Sequence, residues 1–178
     1  MVSLSDEIAA TPEQIWQWLG EVNDPEIPVI SVTDLGIVRK VELLTPKQGK
    51  QAQCAITITP TYSGCPAMDV IEQEIRAQLR THGLHAVHVI YQLSPAWSTD
   101  WMTAEGKRKL RDYGIAPPQQ QVIDISAILR PRQDDIAIVC PQCGSDQTQL
   151  VSQFGSTSCK ALYKCRSCLE PFDYFKPH

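Results

Sequence analysis

Cys54-Ala55-Ile56-Thr57-Ile58-Thr59-Pro60-Thr61-Tyr62-Ser63-Gly64-Cys65-Pro66-Ala67-Met68 passes from strand to helix through a short loop. Cys54, Ile56 and Ile58 fall on one face of an extended segment and Ala55, Thr57 and Thr59 on the other, the period of a strand. Beyond the loop the period changes. From about Pro66 to Thr81, Met68, Ile71, Ile75 and Leu79 recur at helical steps, and Gly83 ends the run. Upstream, Ile37-Val38-Arg39-Lys40-Val41-Glu42-Leu43 mixes apolar and charged positions as a half-buried strand does. The turn-rich Thr45 to Lys50 joins it to the next strand as an antiparallel hairpin. Downstream, Val87, Val89, Tyr91 and Leu93 alternate as a third strand.

Helices flank this centre. Thr11 can cap a helix that has Pro12 in its first turn, and Gln14 can reach back to complete a capping box. Ile15, Trp16, Leu19 and Val22 give it an apolar stripe, and Asn23-Asp24-Pro25 stops it. Glu105 to Tyr113 reads as a short charged helix followed by Gly114. The order helix–strand–strand–helix–strand predicts an α/β fold, an α+β sandwich with a small mixed sheet and helices packed on it. We place this domain at residues 1–115. A linker with one strand-like run, Val122 to Leu129, follows at 116–135, and a small ribbon occupies 136–178.

Composition narrows the class. The 178 residues are 43% hydrophobic and 20% charged, which supports both a core and a solvated surface. No stretch approaches the roughly 18 apolar residues that a membrane span needs, and the acidic opening Ser5-Asp6-Glu7 is unlike a secretory signal. We therefore expect a cytoplasmic protein with no membrane partner. A formal charge of −4 argues against a nucleic-acid binder.

Cysteine is the informative count. Of seven, five fall between Cys140 and Cys168, where a secreted disulfide framework would spread an even number along the chain. Cys140-Pro141-Gln142-Cys143 and Cys165-Arg166-Ser167-Cys168 are two C-x-x-C knuckles with 21 residues between them, close to zinc-ribbon spacing. Each turn aims two sulfurs at one ion, and four thiolates close a tetrahedral shell with no open position for catalysis. Lys160, Lys164 and Arg166 lie near enough in sequence to offset the excess negative charge. Rubredoxin-like iron and a thiol–disulfide pair are the alternatives, the first weakened because Leu169, not glycine, follows the second knuckle. Cys159 reads either as an extra ligand or as a packed thiol.

Cys65 falls at the start of a helix, where orphan N–H groups and the positive dipole end lower a thiol pKa and favour thiolate. Gly64 permits a close approach, and Thr61 and Ser63 can donate to the sulfur. A partly buried cysteine in a sharp loop fits the same residues. Asp24 and Glu26 flank Pro25, and Asp34-Leu35-Gly36 precedes the first strand. Either loop can bring a carboxylate to Cys65, and either reads equally as a turn. Cys54 reads as core. His82, His85 and His88 cross a helix end, a loop and a strand, and read as solvated. With no Ser-His-Asp ordering, Walker loop or G-x-G-x-x-G, no catalytic residues are assigned.

Taken together, Asp24-Pro25-Glu26-Ile27-Pro28, Asp34-Leu35-Gly36 and Thr61-Tyr62-Ser63-Gly64-Cys65-Pro66 resemble the iron–sulfur assembly-factor domain of SufT-like proteins. The tail from Phe154-Gly155-Ser156-Thr157 through Cys159-Lys160 to Phe172-Asp173-Tyr174-Phe175-Lys176 resembles the PaaD family of phenylacetate-degradation proteins. The resemblance implies an accessory, non-enzymatic role. The partner would be the multicomponent phenylacetyl-CoA epoxidase, whose iron–sulfur centres, above all those of the flavoprotein reductase, would be matured or maintained. It implies that Cys65 carries iron or a cluster transiently, with Asp24, Glu26, Asp34 and Thr61 around it, and that Cys140, Cys143, Cys165 and Cys168 hold structural zinc. A cargo shared between two copies would make a homodimer attractive. The competing readings are a stoichiometric component of the epoxidase, a nucleic-acid or interaction module, and a thiol enzyme for which no ordered base is visible.

Overall fold

The computed structural model describes residues 10–44, 53–119 and 138–177. The chain divides into two compact units, Met1–Trp97 and Ser98–His178.

The first unit begins with α1, Pro12–Leu19. Eight residues are too few for a stable isolated helix, so the ends and the buried face must hold it. The capping box forms: Thr11 accepts from the Gln14 N–H, and the Gln14 side chain accepts from the Thr11 N–H at 2.9 Å. Ile15, Leu19 and Val22 are buried, whereas Trp16 lies on the flank and is exposed. Trp18 stacks on His82, ring centroids 4.1 Å apart, so His82 is half-covered by an aromatic ring where solvation was expected.

Strands β1, Val38–Leu44, and β2, Gln53–Ile58, pair antiparallel, and β3, Ala86–Tyr91, joins β2 in parallel. The order β1-β2-β3 puts β2 in the centre, so Cys54 to Ile58 are buried on both faces and alternation survives only as the choice of face. Leu93 lies beyond the last rung, the Gln92 N–H to the Ile58 carbonyl, and is 65% exposed. Helix α2, Ala67–Thr81, supplies the crossover from β2 to β3. It buries Met68, Ile71, Ile75 and Leu79, the stripe read from the sequence, together with Ala67. Burying one such side chain contributes about 1.5–3 kcal/mol. Helix α1 packs against α2 and β1.

The second unit holds a short 3-10 turn at Thr99–Trp101, helix α3 at Ala104–Tyr113, and four strands. These are β4, Ile115–Ala116; β5, Thr148–Ser152; β6, Lys160–Cys165; and β7, Pro171–Phe175. Their order is β4-β7-β6-β5. Gly114 ends α3 at φ 94° and turns the chain directly into β4, which pairs in parallel with β7. The unit boundary therefore falls before α3, earlier than the 115 read from the sequence. Residues 115–116, expected at the junction with a linker, are sheet. The linker from 120 onward, with its strand-like run, lies outside the described residues. The core beneath this sheet joins Ala116, Ile138, Ala161, Phe172 and Tyr174 to Cys140 and Cys165.

Candidate functional site

Two groups of residues carry chemistry, one in each unit. In the first, three loops meet at the carboxyl end of β2. The loop after β2 carries Cys65. Beside it the Thr59 N–H donates to the Ile37 carbonyl at 2.9 Å, which holds the entry to β1, and with it the Ser31–Gly36 turn, against the start of that loop. The Asp24 loop joins the same structure: its N–H donates to the Ile30 carbonyl at 2.9 Å, and Val32 N–H to the Val22 carbonyl at 2.9 Å. Carboxyl ends of strands in α/β sheets are where ligands commonly bind, because loops from several strands converge there.

Asp24 is buried and its Oδ1 accepts from the N–H groups of Glu26, at 2.8 Å, and Ile27, at 2.9 Å. This turn fixes Glu26 in place. Asp34 sits in the second turn, its N–H donating to Ser31 Oγ at 3.1 Å, and Trp97 Nε1 holds the Leu35 carbonyl at 3.0 Å. Trp97 was missed in the sequence, where an isolated tryptophan beyond a strand gives no sign of what it anchors.

Cys65 is half-buried, with Pro66 as the cap residue of α2. Contrary to the lowered pKa expected at a helix start, its thiol is pushed up. Burial is the main cause, reinforced by the negative charges of Glu26 and Asp24, and it outweighs hydrogen bonds from the Ala67 N–H and the Tyr62 hydroxyl. The donors that act on the sulfur are thus Ala67 and Tyr62, in place of the Thr61 and Ser63 read from the sequence. Glu26 and Asp24 are the carboxylates that act on it; Asp34 and Thr61 share the same end of the sheet. The hydroxyl of Thr59, at the loop's start, is buried with no hydrogen-bond partner among the described residues.

In the second unit the sulfurs of Cys140, Cys143, Cys165 and Cys168 all lie within 4.8 Å of one another. Cys140 and Cys168 are 3.8 Å apart, and Cys143 and Cys165 3.5 Å. Four thiolates about 2.3 Å from a central zinc stand about 3.8 Å apart, so this set fits tetrahedral zinc. The N–H groups of Cys168 and Ser167 point at the Cys165 sulfur, at 3.5 and 3.3 Å, and draw its pKa down to about 6. Gly144 and Leu169 follow the two knuckles with the same left-handed backbone, φ 74° and 68°. The sequence argument that Leu169 disfavours an iron-type knuckle therefore fails, since leucine adopts the glycine conformation.

Cys159 stands outside this group of four. It is buried before β6 with its sulfur 3.0 Å from Thr157 Oγ1. Lys160, expected to offset the thiolates, is instead buried against Asp173, Nζ to Oδ2 3.5 Å. Arg166 Nε donates to Gln149 at 3.1 Å.

Comparison with known proteins follows the two units. Residues 12–89 match the family model for an iron-sulfur cluster assembly protein, and residues 126–176 that for the PaaD zinc beta ribbon domain. Over 163 residues, 92% of this chain and 91% of the relative, the sequence is 48% identical to an Escherichia coli (strain K12) protein. That relative is named as one of the subunits of 1,2-phenylacetyl-CoA epoxidase.

The chain belongs to the PaaD family. The zinc-ribbon assignment and the four clustered sulfurs of this PaaD-family chain together support structural zinc. The chain is also 32% identical, over 108 residues, to an Fe-S protein maturation auxiliary factor of Porphyromonas gingivalis (strain ATCC BAA-308 / W83), covering 60% of this chain and 97% of that protein. The solved structure of a domain of unknown function, DUF59, from Bacillus anthracis covers 56% of the PaaD-family chain and 90% of its own, at 26% identity and a TM-score of 0.49. No helix among the described residues is long and apolar enough to cross a membrane.

Proposed function

We propose that this chain is a non-catalytic accessory protein of aerobic phenylacetate breakdown in the cytoplasm. It matures or maintains iron–sulfur centres of the multicomponent phenylacetyl-CoA epoxidase, with the reductase component as recipient. The observation that carries the reading is Cys65: a half-buried thiol facing Glu26 and Asp24, in a unit that matches an iron-sulfur cluster assembly model.

The chemistry suits a carrier. Iron or a cluster, the cargo, binds the sulfur only as the thiol gives up its proton, and the raised pKa makes the proton a strong competitor. One sulfur with adjacent carboxylates from Asp24, Glu26 and Asp34 holds cargo loosely enough to release it. A closed four-sulfur site does not, so Cys140, Cys143, Cys165 and Cys168 hold zinc and keep the ribbon folded. Thr61 shapes the loop around the cargo.

The test is the iron and acid-labile sulfide content of the reductase purified from cells with this chain, without it, or with Cys65→Ser. Loss of cluster without the chain, equal loss with the variant, and no rescue on late addition to finished reductase are the expected results. Cys65→Ser should keep its zinc and its fold. A fully loaded reductase from cells lacking the chain would overturn the reading. A second reading, a stoichiometric component of the epoxidase itself, draws support from the name of the E. coli relative. It requires instead that adding the purified chain to assembled enzyme restores turnover.

A further inference from the structure

All seven cysteines lie among the described residues and all are free, but they differ in their access to solvent. Cys54, Cys140, Cys159 and Cys165 are buried, Cys65 and Cys168 are half-buried, and Cys143 alone is exposed. Peroxide oxidises a cysteine that reaches solvent and is a thiolate, because the thiolate is the nucleophile. An ordinary thiol must first lose its proton. A zinc ligand is already a thiolate at neutral pH, since binding the ion displaces the proton. Cys168 meets that second condition but is partly covered. Cys143 meets both.

Hydrogen bonding widens the difference within the group of four. Donors aimed at a thiolate draw charge off the sulfur and weaken it as a nucleophile. The Ser167 and Cys168 N–H groups point at the Cys165 sulfur, at 3.3 and 3.5 Å. Among the described residues no N–H points at the Cys143 sulfur, which faces the Cys165 sulfur at 3.5 Å. The partner that a disulfide needs is thus already in place. Contacts that involve no metal keep it there. The hydroxyl oxygens of Ser145 and Ser167, one on each knuckle, stand 2.7 Å apart, and the Arg166 N–H donates to the Gln147 carbonyl at 2.7 Å. The Cys140 N–H donates to the Ser145 carbonyl at 2.8 Å, and Thr148 pairs with Cys165 across β5 and β6.

We propose that Cys143 is an oxidation site at which hydrogen peroxide forms a Cys143–Cys165 disulfide and opens the zinc site. The Cys143 thiolate attacks peroxide: an S–O bond forms, the O–O bond breaks, and hydroxide leaves, giving a sulfenic acid. The Cys165 thiolate then attacks that sulfur: the S–S bond forms, the S–O bond breaks, and a second hydroxide leaves. Two electrons pass from the two sulfurs to one peroxide. Cys140 and Cys168 remain as ligands, half of the set that zinc needs, and the ion is released. Cys165 is packed in the core of the second unit, so the new bond ties the first knuckle to that core. The oxidised ribbon therefore stays closed, and a reductant with zinc restores it. This chemistry is independent of the cargo at Cys65.

The test exposes the full zinc-loaded chain to hydrogen peroxide and follows zinc release with the chromogenic chelator pyridylazoresorcinol. In parallel, samples blocked with N-ethylmaleimide are mapped by mass spectrometry without reduction. Zinc release should run in step with the Cys143–Cys165 bond, while Cys54 and Cys65 remain thiols. Dithiothreitol with added zinc should return the metal. Cys143→His keeps four ligands, three cysteines and a histidine, and should release zinc at least tenfold more slowly at the same peroxide concentration. If that variant does not load zinc, the order of modification in the parent chain decides, and Cys143 should be the first cysteine to change. A first modification at Cys65 or Cys168 overturns the proposal, as do disulfides confined within each knuckle. So does a parent chain that keeps its zinc under peroxide, or a zinc-loaded Cys143→His chain that releases it as fast as the parent.

Discussion

At Cys65 two electrostatic effects oppose each other, and their sizes decide the chemistry. A helix start offers a thiolate the Ala67 N–H and the dipole, worth about 0.3–1 kcal/mol where exposed. Removal from water and two nearby carboxylates act the other way, and the thiol ends above its ordinary value. Position along the chain was legible in the sequence, since Gly64-Cys65-Pro66 sits between a strand and a helix. The sign of the pKa shift was not, because it depends first on burial and then on Glu26 and Asp24, which lie about forty residues upstream, and both arise only when the loops fold together. A direct check follows. Glu26→Gln removes one negative charge, so the thiol should ionise at lower pH and react faster with iodoacetamide at neutral pH, read by mass spectrometry of the Cys65 peptide. The parent should react slowly there and speed up as pH rises through the raised pKa. An unchanged profile in Glu26→Gln would remove that carboxylate from the site. Cys54 is the internal control: burial raises its pKa to about 11, so it should stay unmodified in the folded protein.

Among the elements, those set by local periodicity were readable and those set by partners were not. The α2 stripe of Met68, Ile71, Ile75 and Leu79 needs only the 3.6-residue repeat, and all four are buried as read. Strand β4 is two residues long and exists because β7 is beside it, so no pattern in Ile115-Ala116 could announce it. The second knuckle is a further case, in which the metal-binding turn imposes a backbone that the residue disfavours. Leu169 holds φ 68°, a region costing a non-glycine residue about 1–2 kcal/mol, while 65% exposure leaves its side chain little to gain from packing. Leu169→Gly should therefore stabilise the ribbon, by about 0.5–1 kcal/mol after glycine's greater unfolded-state entropy is subtracted. The measurement is the midpoint of zinc loss against a competing chelator, which should move to higher chelator concentration. A shift the other way would mean that Leu169 makes contacts that outweigh its strain.

For the molecule as a whole, the sequence separates an α/β unit from a cysteine-rich one because their compositions differ, and the zinc ribbon follows from four cysteines at a recognisable spacing. The boundary was harder to see: α3 looks like any amphipathic helix, and the pairing of β4 with β7, which follows it, ties it to the second unit. The two units also differ in what holds them. The first has a core of its own, with Ile15, Leu19, Ile56, Ile58, Ile71 and Ile75 all at 1% exposure or less. The second builds its core around Cys140 and Cys165, two of the four sulfurs of the cluster, so its packing and its metal site are one structure. Metal binding in zinc-finger peptides contributes about 10–16 kcal/mol of folding energy, more than so small a core supplies. Chelation should accordingly unfold the second unit and spare the first. By thermal denaturation with tryptophan fluorescence and circular dichroism, the zinc-loaded chain should lose one transition on treatment with a strong chelator and keep the other. Acid should do the same as the four thiolates take up protons and release the ion. The surviving transition should still respond to Ile75→Ala, which opens a cavity in the first core at a cost of about 2–5 kcal/mol. Loss of both transitions together would show that the first unit folds only when the ribbon does, and that the zinc stabilises the entire chain.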